Sequence, residues 1–122
     1  MKISVSPLPQ KFHIALTKGW YEVTGFLITI EDFKFNAVPV RNSYIISEVE
    51  SGARVCEIHI PKGLERYRNS LFFLEDFVAV KVAMIINEAG FDKLKKETGK
   101  VKEYMVKNFG EKPLHLDESY AL

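Results

Sequence analysis

A chain of 122 residues, 47% hydrophobic and 27% charged with a formal net charge of +1, has the make-up of one ordinary globular domain. At that length folding buries roughly two-thirds of the unfolded surface, so no disulfide or metal staple is required. The balance excludes a disordered chain, and because the most apolar run carries Glu75, Asp76 and Lys81 it also excludes a transmembrane helix.

The opening MKISVSPLPQ has no apolar h-region and no small-residue cleavage site, and Cys56 is the single cysteine. Both features are expected of a cytoplasmic protein kept in a reducing compartment. Cys56 falls on the apolar alternation of its strand and reads as a small core residue rather than a nucleophile.

In chain order, residues 2–5 (KISV) form a short strand stopped by Pro7-Leu8-Pro9, which belongs at a sheet edge. Lys11 to Thr17 alternates, with Phe12, Ile14 and Leu16 on one face and His13 pointing away from the core. Lys18-Gly19 turns into a long strand, Trp20–Asp32. Its apolar parity changes from Tyr21 and Val23 to Phe26, Ile28 and Ile30, which predicts a bulge at Thr24-Gly25. Phe33 to Val40 is a strand weakened by Pro39, its end placed at a sheet margin.

A hairpin follows, Tyr44–Glu50 with Ala53–Ile60. A two-residue loop at Ser51-Gly52 sets Val49 opposite Arg54, Ser47 opposite Cys56 and Ile45 opposite Ile58 on the apolar face. Tyr44, Ile46, Glu48, Val55, Glu57 and His59 then share the other face.

Pro61-Lys62-Gly63 ends the sheet, and Asn69 or Ser70 can cap the helix that runs from Leu71 to Gly90. At a uniform 100° per residue this helix has two apolar faces. The broad one carries Leu71, Leu74, Val78, Val82, Ile85, Ile86 and Ala89, and the narrow one Phe73, Phe77, Val80 and Met84. The narrow face needs a cover of its own, from the second helix or from another chain. That second helix spans Asp92 to Phe109 with a single stripe of Leu94, Thr98, Val101, Met105 and Phe109. The tail after Gly110 is expected to be extended, with Leu114, Leu116 and Tyr120 as docking points. Strands followed by helices define a segregated α+β domain, mainly β over residues 1–62 and helical over 63–110, with about five antiparallel strands.

No phosphate loop, nucleophile elbow, zinc motif or other cofactor signature is present, so no cofactor or metal is expected. The nearest to a chemical cluster is Glu57 with His59, two apart on one strand face, suited to a metal or a proton transfer but equally to a solvated surface. His115 and Asp117 in the tail are a lesser pair. Glu75 projects from the middle of the broad helix face. It is either a general acid or base in an apolar pocket, or a first-turn carboxylate that escapes past the sheet edge. Phe73, Phe77 and Met84 form a candidate protein interface, with a second copy or a different protein as partner.

The charge is uneven: residues 90–112 hold seven lysines against four acids. Lys93, Lys96, Lys100 and Lys107 are therefore candidate phosphate contacts, and nucleic acid is the alternative partner.

The hairpin YIISEVESGARV (Tyr44–Val55) resembles the strand–turn–strand block of small uncharacterised phage and mobile-element proteins in which helices follow. It lacks the tryptophan and Thr-His that often precede that turn. The resemblance implies a small accessory or inhibitory protein that acts by contact with a host or viral partner.

Overall fold

Alternating apolar residues give six strands, one for each segment the pattern marks, in the computed structural model, which describes residues 1–113. They are β1 (Ile3–Val5), β2 (Gln10–Leu16), β3 (Gly19–Ile30), β4 (Phe33–Val40), β5 (Ser43–Glu48) and β6 (Arg54–His59). All pairings are antiparallel in the order β1-β3-β4-β5-β6, and β2 also pairs with β3. β1 and β2 occupy one edge of β3 in succession, Ile3 opposite Ile30 and Gln10 opposite Gly25, with the proline segment looping out between them. With helices α1 (Leu71–Phe73), α2 (Ala79–Ala89) and α3 (Phe91–Phe109) after the sheet, the chain is an α+β protein. β4 is a central strand whose ladder runs past Pro39 to Val40 opposite Ser43, so its end does not mark a sheet margin.

The parity change at Thr24-Gly25 marks where β3 changes partners. Residues 19–25 pair with β2, whereas the ladder to β4 begins at Phe26 opposite Ala37. A Cβ on Gly25 would lie 2.7 Å from the Ala37 carbonyl oxygen, so the close approach of β3 to β4 requires glycine here. Beyond that point the β2–β3 hairpin curls back: the Ala15 amide donates to the Gly52 carbonyl (2.9 Å), tying the free edge of β2 to the β5–β6 turn. The sheet is thus partly closed on itself.

The hairpin β5–β6 departs from the expected register by one residue. Tyr44 faces Ile58 and Ile46 faces Cys56, with an irregularity after Ile46 that sets Ser47 opposite Arg54. The cause is the loop, which occupies residues 49–53. The Glu48 carboxylate accepts from the amides of Glu50 and Ser51 (3.0 and 2.9 Å), and Gly52 adopts φ 72°. A one-residue slip exchanges the faces of a strand. Tyr44, Ile46 and Ile58 are therefore the buried set, while Ile45, Glu57 and His59 lie on the opposite face.

The buried face of the sheet, with Ile28, Ile30, Phe35, Ala37 and Ile46 fully enclosed, packs against Leu74, Val78, Val82 and Ile86 of the helical layer. Each such side chain contributes roughly 1.5–3 kcal/mol on leaving water. Ser70 caps α1, its Oγ accepting from the Phe73 amide, and Gly90 at φ 98° separates α2 from α3. Between α1 and α2 the backbone makes one π turn, Leu74–Val78. Hydrogen bonds spanning five residues bring residues five apart onto one side, so Phe73 lines up with Val78 and joins the core at 5% exposure. The uniform wheel that set Phe73 on a second face does not hold across this turn.

α3 is anchored at both ends. Phe91 stacks at 5.5 Å on Phe33, Thr98 and Met105 are buried, and the Trp20 indole donates to the Gly110 carbonyl (3.1 Å). Lys102 bonds Glu50 (2.7 Å) and the Lys112 ammonium bonds the Val49 carbonyl (2.6 Å), holding the helix to the β5–β6 turn. On the sheet face opposite the helical layer, Asn36 and Ser47 are buried, and both amide atoms of Asn36 lack a hydrogen-bond partner among the described residues.

Candidate functional site

Glu57 and His59 alternate outward from β6 on the face opposite the core, where the β5–β6 register brings Ser43 beside them. The Ser43 hydroxyl donates to Glu57 Oε2 (3.1 Å) and lies 3.0 Å from His59 Nδ1, and Glu57 Oε2 is 3.4 Å from His59 Nε2. Arg54 adds a 3.0 Å bond to Glu57 Oε1. Tyr44 and Glu48, assigned to this face by the two-residue loop, lie on the other one, Tyr44 in the core and Glu48 with its carboxylate on the turn amides of Glu50 and Ser51. A serine, a carboxylate and an imidazole are thus in contact, yet the hydroxyl meets both at once and the imidazole is 80% exposed. Neither cleft described below is lined by these three residues. The arrangement suits a charged strand margin, and no group of three metal-ligating residues exists among the described residues.

Glu75, expected mid-face on the long helix, is exposed. The π turn accounts for the displacement, since it brings Phe73 rather than Glu75 onto the stripe of Leu74, Val78 and Val82. Burial pushes the Cys56 thiol up to about 11, partly offset by Arg54, which fits its place among residues packed on the core. Desolvation likewise raises the Tyr44 phenol, whose hydroxyl donates to the Arg68 carbonyl and to Asn69 Oδ1.

The candidate interface is divided. Phe73 is inside the core and offers no surface; Phe77 is half-buried, stacked on Phe73 at 5.0 Å with the Lys81 ammonium 5.6 Å from its ring; Met84 is 62% exposed. Val80 is open beside Met84, and Phe72, which the sequence reading passed over, is 74% exposed. No sequence pattern marks Phe72, because the π turn that turns Phe73 inward leaves its neighbour outside. α3 does not cover this flank: it meets α2 through Ile86, Leu94 and Thr98, with Ile85 and Ala89 at the margin of a 330 Å³ apolar groove beside Val55 of β6.

Lys93, Lys96, Lys100 and Lys107 are all exposed on α3. At 100° per residue they fall within about 60° of arc along about 21 Å of helix. Lys100 lies 3.6 Å from Glu97. A second cleft, about 850 Å³, opens between α3 and the β3–β4 and β5–β6 turns, lined by Lys34, Lys95 and Lys102 together with Asp32, Glu50 and Asp92. Its charges are mixed and select no ligand class. The tail positions Leu114, His115, Leu116, Asp117 and Tyr120 lie outside the described residues.

No helix among the described residues is long and apolar enough to cross a membrane. No protein-family model, curated protein or solved structure matches this chain.

Proposed function

We propose that this chain is a small non-enzymatic binding protein that acts by protein contact through the outer flank of its central helix. The observation that carries this reading is the open apolar row Phe72, Val80 and Met84, flanked by half-buried Phe77, on a helix whose other side buries Leu74, Val78, Val82 and Ile86 against the sheet. Soluble domains seldom expose large apolar side chains contiguously except at interaction sites. An accessory or inhibitory role of the kind implied by the hairpin resemblance belongs to such a contact protein, and the unpaired Cys56 supports a cytoplasmic setting.

A photoreactive residue placed at Met84 tests the proposal: it yields a discrete protein adduct in cells, and Phe72→Ser abolishes that adduct without unfolding the chain. Adducts that form equally from Glu22, on the remote hairpin, refute it. The second reading is nucleic-acid binding by α3, favoured by the alignment of Lys93, Lys96, Lys100 and Lys107 on one stripe. It requires salt-dependent retention on DNA or RNA that is lost when Lys96, Lys100 and Lys107 are changed to Glu; no retention at low salt removes it.

A further inference from the structure

β6 is paired on one side only: its neighbour is β5, and no main-chain hydrogen bond reaches its other side among the described residues. The Ile60 amide bonds Asn42, so even-numbered residues of this strand direct their backbone toward β5. Alternation then leaves the N–H and C=O groups of Glu57 and His59 directed off the sheet. Natural edges are usually blunted by proline, lysine or a covering element, and the sequence of β6, RVCEIH, has neither residue type.

From this edge we infer that the chain pairs with a second copy of itself, β6 against β6, about a two-fold axis through Ile58. An axis perpendicular to the sheet keeps both helical layers on one side and requires odd-numbered residues to face odd-numbered residues. Centred on Glu57 the register sets carboxylate against carboxylate, and centred on His59 it sets imidazole against imidazole. Centred on Ile58 it sets Glu57 opposite His59 of the second copy, and the reverse. That is the reciprocal match an isologous interface needs. Each Glu57 then lies between two imidazoles, its own at 3.4 Å and the second copy's, while Arg54 and Ser43 hold the carboxylate in place. The edge amides and carbonyls of Glu57 and His59 pair across the same axis. The occupant is a second copy because the complementarity is between the strand and itself. This surface is distinct from the Phe72–Met84 flank, so either assignment can fail alone.

Sedimentation equilibrium of the full chain tests the inference. The unmodified protein forms a dimer. His59→Glu and Glu57→Lys each weaken it about tenfold, since the carboxylate–imidazole match is then lost in two symmetric pairs, and the two changes combined restore a complementary pair and the dimer. Glu57→Pro, which removes the outward N–H together with the carboxylate, also dissociates the dimer while the circular dichroism spectrum is retained. Met84→Glu leaves the dimer intact. A chain monomeric at every concentration, or a dimer insensitive to both charge changes, overturns the inference, and so does failure of the combined variant to recover association.

Discussion

Phe35 and Asn36 are consecutive residues of β4, both completely buried, on opposite faces of the sheet. Phe35 belongs to the continuous apolar core beneath the helical layer, whereas Asn36 presents an amide with no partner among the described residues to a face that also buries Ser47. The difference shows which face stabilises the fold and which is tolerated by it. A packed ring gains both transfer and dispersion energy, while an orphaned amide loses its hydration with nothing in return.

The comparison is broken most severely by Phe35→Ala, which leaves a ring-sized void under the helices and is expected to cost about 3–5 kcal/mol in denaturant unfolding. A loss below 1 kcal/mol would mean that the helical layer collapses into the space. Next is Gly25→Ala. A methyl group 2.7 Å from the Ala37 carbonyl forces β3 away from β4 where the hairpin curls over the opposite face, with an expected loss of about 1–3 kcal/mol. Hydrogen exchange after this change should quicken at Ala15, whose amide closes the sheet on Gly52, before it quickens at Ile46 in the core.

Asn36→Leu sharpens the comparison in the opposite direction. It removes both unpaired atoms at similar volume and is expected to stabilise the protein by about 1–2 kcal/mol. Destabilisation would instead reveal that the amide has a hydrogen-bond partner such as an enclosed water.

The strands, the two helical stripes and the N-cap at Ser70 were legible because period and punctuation are local properties. The division of one sheet edge into β1 and β2 was legible too, because the proline segment that separates them is local. Two other features were not legible, and both shift a periodic pattern by one residue. The loop at residues 49–53 is set by the Glu48 side chain bonding turn amides, and it exchanged the faces of β5 while β6 kept its own. The π turn at Leu74–Val78 moved Phe73 inward and left Phe72 outside. Periodicity assumes a constant repeat, and neither event has a composition of its own. The pairing of Glu57 with His59 was unaffected by the first shift because β6 keeps its expected faces and only β5 turns over.

The smallest expected effect concerns the strap between α3 and the β5–β6 turn. The Lys102 ammonium, by hydrogen bond and then by charge, holds the Glu50 carboxyl below its ordinary value, and Glu50 in turn raises Lys102. A depressed carboxyl contributes stability that is present above its unfolded pKa and lost as pH falls through the folded value. A raised lysine contributes below its unfolded pKa and loses that contribution as pH rises through its folded value. The strap therefore acts across the neutral range and fades at both extremes. With side-chain exposures of 73% for Glu50 and 43% for Lys102, solvent screening holds its contribution below about 1 kcal/mol. Glu50→Gln should lower the denaturation midpoint slightly at neutral pH and match the unmodified chain once Glu50 is protonated. If Glu50→Gln has no effect at neutral pH, a hydrogen bond from Lys102 to a neutral acceptor suffices in place of the ion pair to anchor α3 to the turn, and added salt should then leave the midpoint unchanged.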